Sequence, residues 1–236
     1  MAKYQGALFL DLEGTLLKKA HHLDTGEVAP SAWALVAHTL GGGVYEEELE
    51  TQKKWKSGEY AGYVEWMEAT IAIHQRHNLT KDQFTEILDS VELMDGANEL
   101  ALWAKDRNIV MSIVTGGFKH LSDRVQKVLK IEHAFAACEY FFDEGDGMIS
   151  AWNLLPSDER GKIRFMDLVL EEHKISRDNA VFIGDGINDR HVAEHAAMSI
   201  AFCAQKELRE VASHCIDEED LSKAIPLLEA HFSRNS

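Results

Sequence analysis

Two short segments of this chain place carboxylates where chemistry can happen. Asp11-Leu12-Glu13-Gly14-Thr15 follows the apolar run Ala7-Leu8-Phe9-Leu10, and Gly184-Asp185-Gly186-Ile187-Asn188-Asp189 follows Ala180-Val181-Phe182-Ile183. Each run is short, apolar and flanked by glycine, the pattern of a buried strand. Two turns of this kind can converge at one edge of a parallel sheet, where open α/β folds put their active sites. A carboxylate pair there can hold Mg²⁺, and one member can attack phosphorus.

Two further groups suit the same chemistry. Thr115-Gly116-Gly117 comes after an apolar stretch and before a helical pattern. A hydroxyl with free amides at a helix N-terminus is a ready cradle for phosphate. Lys162 stands at a predicted helix start, 23 residues before Asp185. A lysine so placed can neutralise both an attacking carboxylate and a phosphoryl group in transit. Arg160 is the next candidate for that role.

The elements that must position these groups alternate. Strands are predicted at 7–12, 109–114, 180–183, 198–202 and 214–216, with a hairpin at 139–142 and 148–152 around Asp143-Glu144-Gly145-Asp146-Gly147. Helical spacing fills 96–107, 118–129, 162–173, 189–196 and 219–231. Strands alternating with helices imply an α/β fold with a doubly wound parallel sheet. Between 18 and 91 the character changes to helical patterns at 28–40, 45–56, 60–75 and 81–90, broken at Gly41-Gly42-Gly43, at Ser57-Gly58 and before Thr80. That stretch reads as an all-helical insert, so 1–17 and 92–236 form the core and 18–91 a separate domain.

Composition narrows the partners. The chain has 236 residues, 45% of them hydrophobic, enough for a substantial core. Its 24 Lys and Arg against 40 Asp and Glu give a net charge of −16, which repels polyanions. Nucleic acid and anionic membrane are therefore not expected partners, and a small phosphorylated metabolite must find its positive charge locally. Cys138, Cys203 and Cys215 are far apart and form no CxxC pair, as expected of reduced thiols in a cytoplasmic protein. No apolar run approaches the length of a membrane span, and the N-terminal segment reads as a strand rather than a signal peptide. Either a monomer or a homodimer is compatible with these features.

In order and spacing, Asp11-Leu12-Glu13-Gly14-Thr15, Thr115-Gly116-Gly117-Phe118, Lys162 and Gly184 to Asp189 resemble the four motifs of the haloacid dehalogenase superfamily. The resemblance extends over nearly the whole chain. It is strongest to the phosphoserine-phosphatase-like branch, whose Rossmann-like core carries a helical cap inserted after the first motif. It implies a Mg²⁺-dependent phosphatase in which Asp11 becomes a transient aspartyl-phosphate. It further implies that Asp11, Asp185 and the main-chain carbonyl of Glu13 hold the metal, with Asp189 one layer out. Thr115, Gly116 and Asn188 would contact the phosphate, and Lys162 would steady it.

Glu13 departs from the usual aspartate of that motif. The aspartate serves as the acid that protonates the leaving oxygen and as the base that activates water. Glutamate keeps the carboxyl but adds a methylene, and about 1 Å of misplacement can cost on the order of 10²-fold. The enolase-phosphatases of methionine salvage also look like Asp-x-Glu-Gly-Thr, so Glu13 is read as the functional acid and base. Alternatives are a phosphotransferase to a small hydroxyl acceptor, or an attenuated phosphate-binding domain.

The cap of such enzymes selects the leaving group. Phosphoserine phosphatases use a cap arginine for the substrate carboxylate and an acidic residue for its amine. This chain has no arginine before Arg76, so strict phosphoserine specificity is less expected than the motifs suggest, and Arg76 is the candidate to hold a substrate carboxylate. Phosphoserine is the first substrate to try, followed by a methionine-salvage phosphate or a broad range. Asp24 and Glu27 are the acidic candidates, and Trp55 and Trp66 are expected to be packing residues that could line a pocket. The pairs His21/His22, His74/His77 and His191/His195 are read as ordinary residues rather than zinc ligands. Glu46-Glu47-Glu48 is expected to be a solvated helix face.

Overall fold

Ala7-Leu8-Phe9-Leu10 has no polar face, which suits a strand covered on both sides. The computed structural model, which describes residues 4–19 and 28–234, bears this out. The strands in chain order are β1 (Gly6–Leu10), β2 (Ile109–Phe118), β3 (His133–Phe142), β4 (Ile149–Leu154), β5 (Ala180–Gly184), β6 (Met198–Phe202) and β7 (His214–Ile216). They form a sheet in the order β4-β3-β2-β1-β5-β6-β7. The helices are α1 (Ala32–Leu40), α2 (Val44–Ser57), α3 (Tyr63–Arg76), α4 (Lys81–Asp89), α5 (Ala97–Asp106), α6 (Lys119–Leu129), α7 (Gly161–His173), α8 (Arg190–His195), α9 (Lys206–Arg209) and α10 (Ile225–Arg234). His21, His22, Asp24 and Glu27 lie outside the described residues. None of the described helices is long and apolar enough to cross a membrane.

The chain divides into two units. The first comprises Met1–Lys18, Leu93–Ala136 and Ser157–Ser236. At its centre β1 is wholly buried and runs parallel to β2 on one side and β5 on the other. Leu10 lies level with Ile113 of β2 and Ile183 of β5, so β1 and β5 end together while β2 runs on past them. β6 and β7 extend the sheet in parallel beyond β5. From β1 the strand order runs outward to β2 on one side and to β5 on the other. That reversal beside β1 is the switch point at which open α/β sheets hold ligands. Phe9, Val110, Val114, Met166, Val169 and Phe182 pack one face of this sheet against α7 and α8.

Two elements depart from their expected bounds. β2 continues through Thr115-Gly116-Gly117 to Phe118 instead of ending at residue 114, and α6 starts only at Lys119. α10 begins at Ile225 rather than near 219. Asp220 accepts from Ser222 N at 2.9 Å, and a 3-10 turn over Leu221–Ala224 comes first.

The second unit comprises Lys19–Glu92 and Ala137–Pro156, so the hairpin groups with the helices rather than with the sheet core. Several contacts account for this. Lys81 N donates to Gly147 O at 2.9 Å, Gln75 Nε2 donates to Ile149 O at 3.3 Å, and the Phe84 ring centre is 5.3 Å from that of Tyr140. The unit is therefore helices plus a β-hairpin, not helices alone. The expected breaks hold: Gly43 and Gly58 bracket α2 in the left-handed region, at φ of 85° and 76°. Thr80 caps α4 in a reciprocal box with Gln83.

One side of the acidic run is not solvated. Glu48 is buried, and its Oε1 lies 2.6 Å from His74 Nε2, while His74 Nδ1 lies 2.9 Å from the Tyr140 hydroxyl. His74 is fully buried beneath Trp33, so it is a core group tying α2 and α3 to β3. Burial raises the Glu48 pKa above the ordinary glutamate value, and the His74 hydrogen bond only partly offsets that. A carboxyl raised in the fold gives its full stability below the unfolded value and loses it as pH climbs through the folded one. Relative to Glu48→Gln, the wild type is expected to lose Tm as pH rises from about 4 toward neutrality. A Tm difference that stays constant with pH would contradict this.

Candidate active site

The site is built where β1 and β5 end beside the later part of β2. Asp11 follows β1, and its amide donates to Ile183 O at 3.0 Å, which locks the strand end against β5. Asp185 follows β5 directly, and Asp189 lies one short turn later. The carboxylates of Asp11, Asp185 and Asp189 are all buried and offer ligand atoms within 4.8 Å of one another.

Lys162 joins them. A lysine in the first turn of a helix opposes the helix dipole, so helix chemistry does not explain it. Its side chain is fully buried, and Nζ donates to Asp11 Oδ1 and to Asp189 Oδ1, both at 2.5 Å. Burial pulls against its charge, but Asp11 and Asp189 outweigh that and hold the ammonium protonated. Arg160, the fallback candidate, is exposed.

Asp189 is committed to its neighbours. Its Oδ2 accepts from the amides of Asp185 and Gly186, each at 3.1 Å, while Oδ1 takes Lys162. Asp189 therefore holds the lysine and the β5 turn together. A Cβ on Gly184 would stand 2.3 Å from Asp189 Oδ2, so the strand end needs glycine to let that carboxylate in.

Three buried carboxylates cluster here, and the Lys162 ammonium pairs with two of them, Asp11 and Asp189. Asp11 shows the excess: burial raises its pKa well above the aspartate range, Lys162 pulls it down, and Asp189 and Asp185 push it up again. Such an oxygen-rich, net-negative cluster fits a hard divalent cation such as Mg²⁺. Asp11 and Asp185 are the side chains suited to reach one, since Asp189 is already occupied.

Gly14 guards this arrangement. It sits at φ +77°, and a Cβ there would fall 2.5 Å from Asp185 Oδ2. Gly14→Ala is expected to cost about 1–2 kcal/mol from the backbone alone and to displace the Asp185 carboxylate. Thermal melts with and without Mg²⁺ read both effects. A variant that melts and responds to Mg²⁺ like wild type would contradict the assignment.

The Thr115-Gly116-Gly117 segment differs from the expected helix-end cradle because it is still strand. The Gly117 amide donates back to Thr115 Oγ1 at 3.1 Å, and Ser157 Oγ donates to Thr115 O at 2.8 Å. The Thr115 hydroxyl hydrogen remains available to an oxyanion, because the contact with Gly117 uses its oxygen as acceptor. Glu13 points at the same segment: a Cβ on Gly117 would lie 2.3 Å from Glu13 Oε1. The Glu13 side chain thus stands over β2 and is not one of the three clustered carboxylates.

A family profile described as haloacid dehalogenase-like hydrolase matches residues 6–196. The chain belongs to the haloacid dehalogenase-like hydrolases. It is 32% identical to the phosphoserine phosphatase of Campylobacter jejuni subsp. doylei over 150 residues, 61% of this chain and 68% of that protein. Its identity to the phosphoserine phosphatase of Archaeoglobus fulgidus is also 32%, over 64% of this chain but only 44% of that protein. The match thus spans less than half of the archaeal relative. A solved phosphoserine phosphatase described as a phospho-aspartyl intermediate analogue superposes with a TM-score of 0.75 at 21% identity, covering 95% of this chain and 99% of that one. A substrate-bound phosphoserine phosphatase complex gives 0.73, also at 21% identity, over 94% and 98%. These two show the shared fold, and the sequence relatives place the chain in the phosphoserine-phosphatase-like branch.

For a haloacid dehalogenase-like hydrolase, the longer Glu13 needs extra room, and Gly117 leaves it. Asp158 is a site neighbour that sequence reasoning missed. Its Oδ1 accepts from Asn188 Nδ2 at 2.7 Å, and its Oδ2 is 2.4 Å from where a Gly116 Cβ would be. It belongs to no motif, and only its place four residues before Lys162 hinted at it. Arg76, the candidate for a substrate carboxylate, is paired with Glu47 at 2.5 Å. Trp55 and Trp66 stack on each other with centroids 5.3 Å apart, as packing residues do.

Proposed function

We propose that this haloacid dehalogenase-like hydrolase is a Mg²⁺-dependent phosphomonoesterase acting on a small metabolite through an aspartyl-phosphate on Asp11, with phosphoserine the first substrate to test. The reading is carried by one observation: Lys162 Nζ sits 2.5 Å from both Asp11 and Asp189, deep in a carboxylate cluster that also includes Asp185. The relatives named phosphoserine phosphatase support the substrate class.

Asp11 attacks phosphorus through the oxygen that Lys162 does not hold, and the leaving oxygen departs with a proton from Glu13. Glu13, now ionised, takes a proton from water as that water attacks the aspartyl-phosphate, which returns Asp11 and releases phosphate. Lys162, the Thr115 hydroxyl and the Asn188 amide face the charge that builds on the phosphoryl oxygens. Asp11, Asp185 and the main-chain carbonyl of Glu13 would hold a Mg²⁺, which would supply Lewis-acid screening of that charge when bound. Gly117 leaves the room that the longer Glu13 side chain takes, which supports it as the acid and base.

The test is phosphate release from a panel of phosphorylated metabolites, phosphoserine included, with Mg²⁺ and with chelator. Release that needs Mg²⁺ and favours one substrate is expected. A new phosphoester formed from an added alcohol without matching free phosphate would replace hydrolysis with transfer. Binding of phosphate without turnover on any substrate would contradict both.

A further inference from the structure

Asn188 is held at the nitrogen end of its carboxamide, and its oxygen end fills the space that glycine leaves at position 186. Nδ2 donates to Asp158 Oδ1 at 2.7 Å, and a Cβ on Gly186 would fall 2.2 Å from Oδ1. Asp158 is wedged in turn. Its Oδ2 occupies the space a Gly116 side chain would need, and its main-chain oxygen accepts from Gly161 N at 2.8 Å in the first turn of α7. A carboxylate can only accept hydrogen bonds, so Asp158 dictates which end of the carboxamide is nitrogen. One side chain therefore ties the end of β2, the loop before Lys162 and the turn after β5.

We infer that Asp158 is a positioning residue: it aims the Asn188 carboxamide so that the second Nδ2 hydrogen, not the carbonyl oxygen, faces the phosphoryl group. The inference rests on the phosphatase reading above. Unaided, a carboxamide in contact with a phosphoryl dianion is free to rotate, and its oxygen end would repel what its nitrogen end attracts. The cost of this device is a carboxylate held near the phosphate, which weakens anion binding. Removing the hydrogen-bond acceptor and removing the charge should therefore act in opposite directions.

The experiment compares wild type, Asp158→Ala, Asp158→Asn, Asn188→Ala and the double variant Asp158→Ala/Asn188→Ala as full chains with Mg²⁺. The readouts are kcat, KM on the best panel substrate, the inhibition constant of inorganic phosphate, and the Tm shift that phosphate produces. Asp158→Ala is expected to raise KM and the phosphate inhibition constant about tenfold with a smaller change in kcat. Asp158→Asn keeps an acceptor and drops the charge, so it should bind phosphate as tightly as wild type or up to about threefold more tightly. The Ala variants should not be additive, because both disable one group. Additive losses, or Asp158→Asn as impaired as Asp158→Ala, would overturn the inference. If wild type releases no phosphate from any substrate, the phosphatase reading fails by itself, and the phosphate-induced Tm shifts still decide the role of Asp158. An inactive wild type that phosphate also fails to stabilise would overturn the inference along with the phosphatase reading.

Discussion

Asp11→Asn is expected to lower phosphate release by at least about 10⁴-fold while leaving the protein as stable as wild type, or more so. The two effects have one cause. Asp11 is buried beside two other carboxylates, and burial raises its pKa well above the usual range. The fold therefore carries an unfavourable charge at the position proposed for the nucleophile. Asparagine keeps the shape and still offers an oxygen to Lys162 Nζ, but it cannot attack phosphorus. A stable, inactive Asp11→Asn protein is the signature of a residue retained for reaction and not for folding. The assay is phosphate release under Mg²⁺ beside a thermal melt. Residual activity above about one part in a hundred would remove Asp11 from the nucleophile's role.

Lys162→Met is expected to fail differently. It removes the ammonium that Asp11 and Asp189 share at 2.5 Å and leaves three buried carboxylates facing one another. Breaking a buried pair on one side typically costs about 3–5 kcal/mol, because the remaining charge is uncompensated. Turnover should fall by roughly 10²–10³-fold as well, the usual cost of losing one preorganised donor at developing charge. Mg²⁺ should raise the Tm of this variant more than that of wild type, since the cation is then the remaining counter-charge in the cluster. Adding Asp189→Asn should restore part of the stability and none of the activity. A Lys162→Met protein that melts within about 1 °C of wild type would show that the lysine does not balance the cluster.

The parts of the fold and site legible in the sequence are those fixed by local chemistry. Ala7–Leu10 and Ala180–Ile183, short apolar runs that each lead into a carboxylate turn, read as buried strands, and the pairing of β1 with β5 puts Asp11 and Asp185 at neighbouring strand ends. The glycine breaks around α2 and the Thr80 cap were likewise readable, because each acts within a few residues. What escaped depends on partners distant in sequence. Thr115-Gly116-Gly117 read as a turn before a helix because glycine disfavours strand interiors. Its glycines instead make room for Glu13 and Asp158, which arrive from other segments. Glu48 looked solvated within an acidic run, and only the approach of His74 and Tyr140 explains its burial. Asp158 belongs to no spacing pattern at all, since its contacts run to Gly116 and Asn188. The hairpin was recognised, but its grouping with the helices depends on Thr80, Lys81 and Phe84 meeting it.

The central claim is a covalent phosphoryl group on Asp11. The direct measurement is rapid acid quenching of the enzyme with Mg²⁺ and its best substrate, followed by peptide mass spectrometry of the trapped protein. The account predicts an acid-stable, alkali-labile phosphoryl group on the peptide holding Asp11, formed within one turnover and absent from Asp11→Asn. Steady phosphate release with no phosphoryl group trapped on Asp11, or with the group on another residue, would contradict it.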